Sequence, residues 1–323
     1  MVPPVVKQEP PETPSPTVRR AGYVALVGRP NVGKSTLMNK LVGEDLSIVS
    51  SRPETTRDRV MAVVTAPAGS DAQLVIVDTP GVHRPHRELG TYMNAAARAA
   101  AEDADAVIMV VDATDGHTGP ERESHVLEVL AGVKGPVILA VNKVDAVKVK
   151  NALLPLLDAY GKLREFHSVV PISAAKGDGV DRLLVAAGAL LPESVALFPV
   201  DTLTQHPERF FVAERVREAV IAETQEEIPY VSAVTIESYD ERPAIARISG
   251  TIHVERPGQK KIVVGTGGER IKAIGSRARA SVERLLGRKV HLELTVKVTA
   301  DWTRSPDALK RFGYEVEGRR RRA

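Results

Sequence analysis

The stretch Gly28-Arg-Pro-Asn-Val-Gly-Lys-Ser35 constrains this chain more than any other. It fits G-x-x-x-x-G-K-[ST], with an apolar run of strand type before it (residues 23–27) and a helix-prone run after it (residues 36–41). A strand, a glycine turn and a helix N-terminus in that order make a cradle for phosphate. Backbone N–H groups point inward, and the helix dipole favours an anion there. Lys34 is placed to reach the β- and γ-phosphates, and the Ser35 hydroxyl to ligate Mg²⁺.

A chain of 323 residues has room for two domains. Cysteine is absent. That excludes disulfides, thiolate metal sites and cysteine nucleophiles, and it suits a reducing cytoplasm. No apolar run approaches the roughly eighteen residues of a membrane span, and the N-terminus lacks the basic start and apolar core of a signal peptide. Charge is uneven along the chain. Residues 256–289 hold ten Lys and Arg against two acidic residues, a candidate footprint for a polyanion.

Residues 1–18, rich in Pro, Glu, Thr and Ser, are expected to form a disordered extension. Residues 19–191 alternate short apolar runs (23–27, 60–66, 74–77, 106–111, 137–141 and 168–172) with helical stretches (90–103, 120–130 and 180–191). Runs that are apolar at nearly every position predict strands buried on both faces. The fold expected is α/β, a doubly wound, mostly parallel sheet. Residues 192–205 read as a linker. Residues 206–300 read as a smaller α+β domain: a helix over 207–226, strands over 231–237 and 244–254, and a strictly alternating strand over 289–298. Residues 301–323 read as a basic C-terminal tail.

Three further stretches carry chemistry when set behind the phosphate cradle. Asp78-Thr-Pro-Gly81 follows a buried strand, so Asp78 is a Mg²⁺ partner, and Gly81 can offer its N–H to a γ-phosphate without obstruction. Asn142-Lys143-Val-Asp145 follows another strand. A carboxylate there accepts both adjacent donors of guanine, so Asp145 sets base identity while Asn142 braces the loop. Ile172-Ser173-Ala174 follows the next strand, with the Ala174 N–H facing guanine O6. Between the first helix and the second strand, Thr56, or alternatively Thr55, completes a Mg²⁺ site only when a γ-phosphate is present, which makes its loop a switch. The expected nucleotide contacts are therefore Gly28, Asn31, Val32, Gly33, Lys34, Ser35, Thr36, Asp78, Gly81, Asn142, Lys143, Asp145, Ser173 and Ala174. Ser35, Thr56 and Asp78 surround the metal, and Lys34, Thr56 and Gly81 act on the reacting phosphate.

These phrases together resemble the TrmE–Era–EngA group of translation-factor-type GTPases. The resemblance implies binding of GTP and GDP with Mg²⁺. It also implies that an apolar residue, here Val82, replaces the glutamine that orients water in other GTPases. Slow intrinsic hydrolysis and stimulation by a partner follow from it. It implies further that Asn31 helps to bind an activating K⁺.

In the second half, Gly265-Thr266-Gly267-Gly268 sits at a helix–turn–helix joint flanked by basic residues. The order helix, two strands, two helices, strand matches a type II KH domain. In such a domain a G-x-x-G loop lets a nucleic-acid backbone approach closely. The RNA contacts expected are Lys261, Gly265, Thr266, Gly267, Gly268, Arg270, Lys272 and Arg277. The joint arrangement, over about residues 20–313, resembles the Era family. That resemblance implies binding to the 3′ end of 16S ribosomal RNA during maturation of the 30S subunit, and peripheral contact with the inner membrane. A monomer is expected. Two readings compete: a P-loop kinase or ATPase, against which Asp145 stands, and a nucleotide-gated adaptor whose second domain docks a protein.

Overall fold

The computed structural model describes residues 18–314 apart from 51, 67–70, 150, 152, 200 and 242–244. The expected N-terminal extension, up to residue 17, and the arginine-rich end lie outside the described residues.

The first domain is a six-stranded sheet in the order β2-β3-β1-β4-β5-β6. Its strands are β1 (Arg20–Val27), β2 (Val60–Thr65), β3 (Ala72–Asp78), β4 (Ala106–Asp112), β5 (Val137–Asn142) and β6 (Ser168–Pro171). All neighbours run parallel except β2 against β3. The helices are α1 (Lys34–Val42), α2 (Glu88–Asp103), α3 (Ser124–Leu130), α4 (Leu153–Gly161) and α5 (Val180–Ala189). Successive residues of β1 explain the unbroken apolar runs. Val24 and Leu26 face one core with Leu37 of α1 and Leu183 of α5, while Ala25 and Val27 face another with Ala97 of α2 and Val129 of α3. Both faces of the sheet are covered, so neither can be polar. Helix α4 has no counterpart in the sequence reading. It spans only nine residues, and Pro155 stands in its first turn, where a missing N–H costs nothing.

The second domain contains α6 (Glu208–Glu223), the single turn α7 (Ile228–Val231), β7 (Ala233–Asp240), β8 (Ile245–Val254), α8 (Pro257–Val264), α9 (Glu269–Leu286) and β9 (Lys289–Val298). Its sheet runs β7-β8-β9, antiparallel then parallel. Val216 and Val220 of α6, Ile252 of β8, and Ile274 and Ala278 of α9 form the core, and Leu292, Leu294 and Val296 pack against it. The other face of β9, with His291 and Lys297, is exposed. This is the expected alternation.

Two segments depart from expectation. Residues 301–314 are not a tail. Trp302–Arg304 form a 3-10 turn, and α10 (Pro306–Arg311) follows, capped by the Ser305 hydroxyl. Trp302 is fully buried and donates its indole N–H to the Val231 carbonyl at 2.8 Å. Together with Ala308 and Leu309 it packs against Leu89, Tyr92 and Met93 of α2, joining the two domains.

The linker, in turn, is strapped to the edge strand β2 and to its neighbour β3. Gln73 brackets the backbone of Phe198, with bonds of 2.8 and 3.0 Å. Val63 donates its N–H to the Leu203 carbonyl at 2.9 Å. Thr204 donates to the Met61 carbonyl at 2.6 Å, and the Met61 N–H donates to His206 Nε2 at 3.0 Å. No helix among the described residues is long and apolar enough to cross a membrane.

Candidate functional site

In the order β2-β3-β1-β4, the neighbours β1 and β3 send their connections to opposite sides, β1 out to β2 and β3 across to β4. Ligands bind in doubly wound sheets at such a switch point, beyond the C-terminal ends of the strands. The loop after β1 is the phosphate cradle, and α1 begins at Lys34. Gly33 precedes it at φ +99°, and a Cβ there would lie 2.2 Å from the Asn142 side-chain nitrogen, so only glycine fits. The Lys34 ammonium reaches back over the loop to the carbonyls of Gly28 and Arg29, at 3.0 and 2.9 Å. Burial lowers its pKa to about 8, against the opposing pull of the Asp78 carboxylate.

Ser35, Thr56 and Asp78 converge although they come from three separate stretches. Ser35 Oγ lies 2.9 Å from Thr56 Oγ1 and donates to Asp78 Oδ2 at 2.7 Å. Asp78 is fully buried, and its Oδ1 has no hydrogen-bond partner. Burial pushes its pKa up, while Lys34 and Ser35 hold it down. A buried carboxylate with an unused oxygen, beside two hydroxyls, is a donor set suited to a hard divalent cation. The alternative metal partner, Thr55, is not brought to this point: its carbonyl turns instead toward Arg217 of α6.

Gly81 and Val82 sit against the cradle. The Val82 N–H donates to the Gly28 carbonyl at 3.1 Å. A Cβ on Gly81 would fall 2.7 Å from Pro30, so the room that Gly81 leaves is taken up by the cradle itself. Val82 is buried and offers no polar atom to a water.

At the other end, Asn142 donates to the Val32 carbonyl at 2.8 Å and accepts the Ala174 N–H at 2.9 Å. The bracing role expected for Asn142 is thus visible. The Ala174 N–H differs from expectation, because its partner here is Asn142, for which a guanine O6 would have to compete. Lys143, at φ +63°, donates to the Asn31 carbonyl at 2.8 Å and pairs with Asp112 at 2.6 Å. Ser173 shapes the turn, accepting the Lys176 N–H at 3.2 Å. Asp145 is exposed at the mouth, with Lys176 3.9 Å away.

Four consecutive residues that sequence reasoning treated as one loop are each held by a different element. The Thr55 carbonyl accepts from Arg217 of α6. Thr56 meets Ser35 of α1. Arg57, almost fully buried, donates to the carbonyls of Ser232 and Pro229 at 2.5 and 2.6 Å and lies 5.7 Å from the Trp302 ring centroid. Asp58 accepts from Tyr92 of α2 at 2.9 Å. Neither Arg57 nor Arg217 carries a local signal for these roles in the sequence, because their partners lie in distant segments.

In the second domain, the loop at residues 265–268 joins α8 to α9. Gly265, Gly267 and Gly268 all take positive φ, and a Cβ on Gly267 would meet nothing within 4 Å. Beside the loop is an open cleft of about 330 Å³, lined by Ile271, Lys272, Gly275, Ser276, Arg279, Leu292 and Leu294. Lys272, Gly275, Ser276 and Arg279 share one helical face. Arg277 does not: it pairs with Glu223 of α6 at 2.7 Å. Arg277 is among the RNA contacts expected from the sequence; the cleft is lined instead by Arg279, two residues on. Arg270 donates to the Ile262 carbonyl at 2.7 Å and so braces the loop, while Lys261 is exposed on α8.

The same two-part arrangement is found in known proteins. Residues 23–143 match the model of the 50S ribosome-binding GTPases, and residues 227–303 that of the KH domain. GTPase Era of Geobacter sp. (strain M21) is 45% identical over 298 residues, 92% of this chain and 98% of that protein. GTPase Era of Xanthomonas oryzae pv. oryzae (strain MAFF 311018) is 47% identical, over 92% of this chain and 97% of its own length. The chain belongs to the Era family of GTPases. Solved Era structures share its fold across both domains. A point variant of Aquifex aeolicus Era bound to GDP·AlF₄⁻ aligns with a TM-score of 0.86 at 41% identity, covering 92% of this chain and all of that one. Era in complex with MgGDPNP and nucleotides 1506–1542 of 16S ribosomal RNA aligns at 0.87, with the same identity and coverage.

Proposed function

We propose that this Era-family chain is a switch that binds GTP with Mg²⁺, hydrolyses it slowly, and uses the cycle to hold and release the 3′ end of 16S ribosomal RNA during 30S assembly in the cytoplasm. The observation that carries this reading is the loop at residues 55–58. It reaches the metal-type donor set through Thr56 and the RNA-binding type of domain through Arg57. The relative solved with an RNA fragment supports the choice of RNA.

Ser35, Thr56 and Asp78 would hold the Mg²⁺, which supplies positive charge against the phosphates. Lys34 and the N–H groups at the start of α1 bind and orient the phosphate chain. Asp145 selects guanine. Val82 excludes water from its corner without orienting any, which supports a slow intrinsic rate. The Asn31 side chain, exposed at the cradle, is the group that would favour K⁺ over Na⁺; equal turnover in the two salts would remove that part of the reading. Lys272 and Arg279 meet backbone phosphate, and Ile271, Leu292 and Leu294 meet bases.

The test replaces Thr266 and Gly267 with Asp in the full chain. Affinity for a 3′-terminal 16S RNA fragment is expected to be lost, with GTP affinity kept. RNA affinity that survives would favour the adaptor reading, in which the second domain docks a protein.

A further inference from the structure

We infer that Arg217, carried by α6 of the second domain, is a positioning residue of the nucleotide site, holding the Thr55–Thr56 backbone where Thr56 can meet Ser35 and Asp78. This rests on the reading above, in which Thr56 senses the γ-phosphate.

The geometry is specific. Arg217 is 1% exposed. Its Nε donates to Glu214 Oε1 at 2.8 Å, and Nη2 is shared between Glu214 and the Thr55 carbonyl. Glu214, one helical turn earlier, therefore aims the planar guanidinium, and the loop receives its donor as a fixed fork. The bond goes to a backbone oxygen. It fixes the position of the chain immediately before Thr56 whatever side chain residue 55 carries.

On the other side of Thr56, Arg57 is fixed by two carbonyls at the α7 turn and by the face of Trp302. Thr56 is thus flanked by two buried cations that cross between the domains: Arg217 of the second reaching Thr55, and Arg57 reaching carbonyls of the second. A buried guanidinium that loses an acceptor keeps its desolvation cost, so neither arginine readily releases the loop. The seat of the second domain and the position of Thr56 are therefore linked. Linkage is reciprocal: if a nucleotide sensed by Thr56 favours this seat of α6, the same seat favours that nucleotide by the same factor.

The experiment measures affinities of the full chain for a non-hydrolysable GTP analogue and for GDP in Mg²⁺. Four proteins are compared: wild type, Arg217→Met, Thr56→Ala and the double variant. Arg217→Met is expected to lower the GTP-to-GDP affinity ratio at least fivefold, and to lower it no further when Thr56 is already Ala. A purely structural arginine would instead act additively, or weaken both nucleotides alike.

Glu214→Gln keeps the cation but loosens its aim. It is expected to lower the ratio in the same direction by a smaller factor, and it provides the readout if Arg217→Met does not fold. An unchanged ratio in Arg217→Met and Glu214→Gln, with a lowered ratio in Thr56→Ala, overturns the role of Arg217 alone. An unchanged ratio in Thr56→Ala overturns the reading of Thr56 on which it rests.

Discussion

The side chain of Asn142 donates to the carbonyl of Val32 at 2.8 Å across 110 residues of chain. Its other end accepts the Ala174 N–H. One amide therefore sets the distance between the phosphate end of the site and the base end.

Gly33→Ala is expected to break that tie. The added methyl falls on the Asn142 nitrogen at a φ of +99°, where alanine is itself strained. Displacing Asn142 leaves buried polar groups unpaired, at about 1–3 kcal/mol each. GDP affinity should fall by roughly tenfold or more. Isothermal titration alongside circular dichroism would show a folded protein with weakened binding, and unaltered affinity would show that Asn142 is not the tie.

Asp145→Asn is expected to exchange base preference. The amide can donate to the oxygen that xanthine carries where guanine has an amino group. The loss for guanine is that of a hydrogen bond to a charged partner, about 1.5–3 kcal/mol, or roughly tenfold to a hundredfold. Competition between GDP and xanthosine diphosphate measures it, and retained guanine preference would contradict the role of Asp145.

Arg279→Ala and Arg277→Ala should behave differently although they lie two residues apart. Arg279 lines the cleft, while Arg277 pairs with Glu223. Removing Arg279 is expected to weaken RNA binding and to reduce the salt slope by about 1. Removing Arg277 should leave that slope unchanged. The opposite ranking, measured by filter binding over a salt series, would place the RNA on the α6 side.

His206 ties stability to pH. Its Nε2 accepts the Met61 N–H, so the ring must be neutral in the fold. Burial, with Arg59 adding to it, holds its pKa below the ordinary 6.5, and Glu214 pulls the other way. With a lowered folded pKa, the unfolded chain binds the proton first. Stability is therefore full above about 6.5 and falls as pH drops from there toward the folded value. His206→Gln can still accept the N–H and does not titrate. The difference in urea midpoint between it and wild type should shrink from pH 7.5 to pH 5, and a constant difference would contradict the assignment.

Much of the first domain was legible because its strands are buried on both faces and its motifs follow strand ends at fixed spacing. Gly28–Ser35 and the alternation of β9 needed only local pattern, while Asp78 and Asn142 needed their order behind the phosphate cradle as well. What escaped depends on contacts between distant segments. Trp302 and α10 sit in three- and six-residue pieces that no periodicity marks, and they are ordered by packing on α2. Arg277 and Arg279 differ by helical spacing: Arg279, seven residues after Lys272, shares its cleft face, while Arg277 turns to Glu223 of α6. No role for Arg57 or Arg217 is legible in the sequence, because each is buried against a carbonyl of the other domain.

The segment pinned to β2 and β3 has a practical consequence for dissecting the molecule. Cutting after residue 191, at the end of the first domain as sequence alone defines it, would strip Phe198, Leu203 and Thr204 from Gln73, Val63 and Met61. The outer strand would then offer bare N–H and C=O groups to any neighbouring chain, a known route to aggregation. A fragment meant to behave as a free-standing first domain should therefore carry the chain through His206.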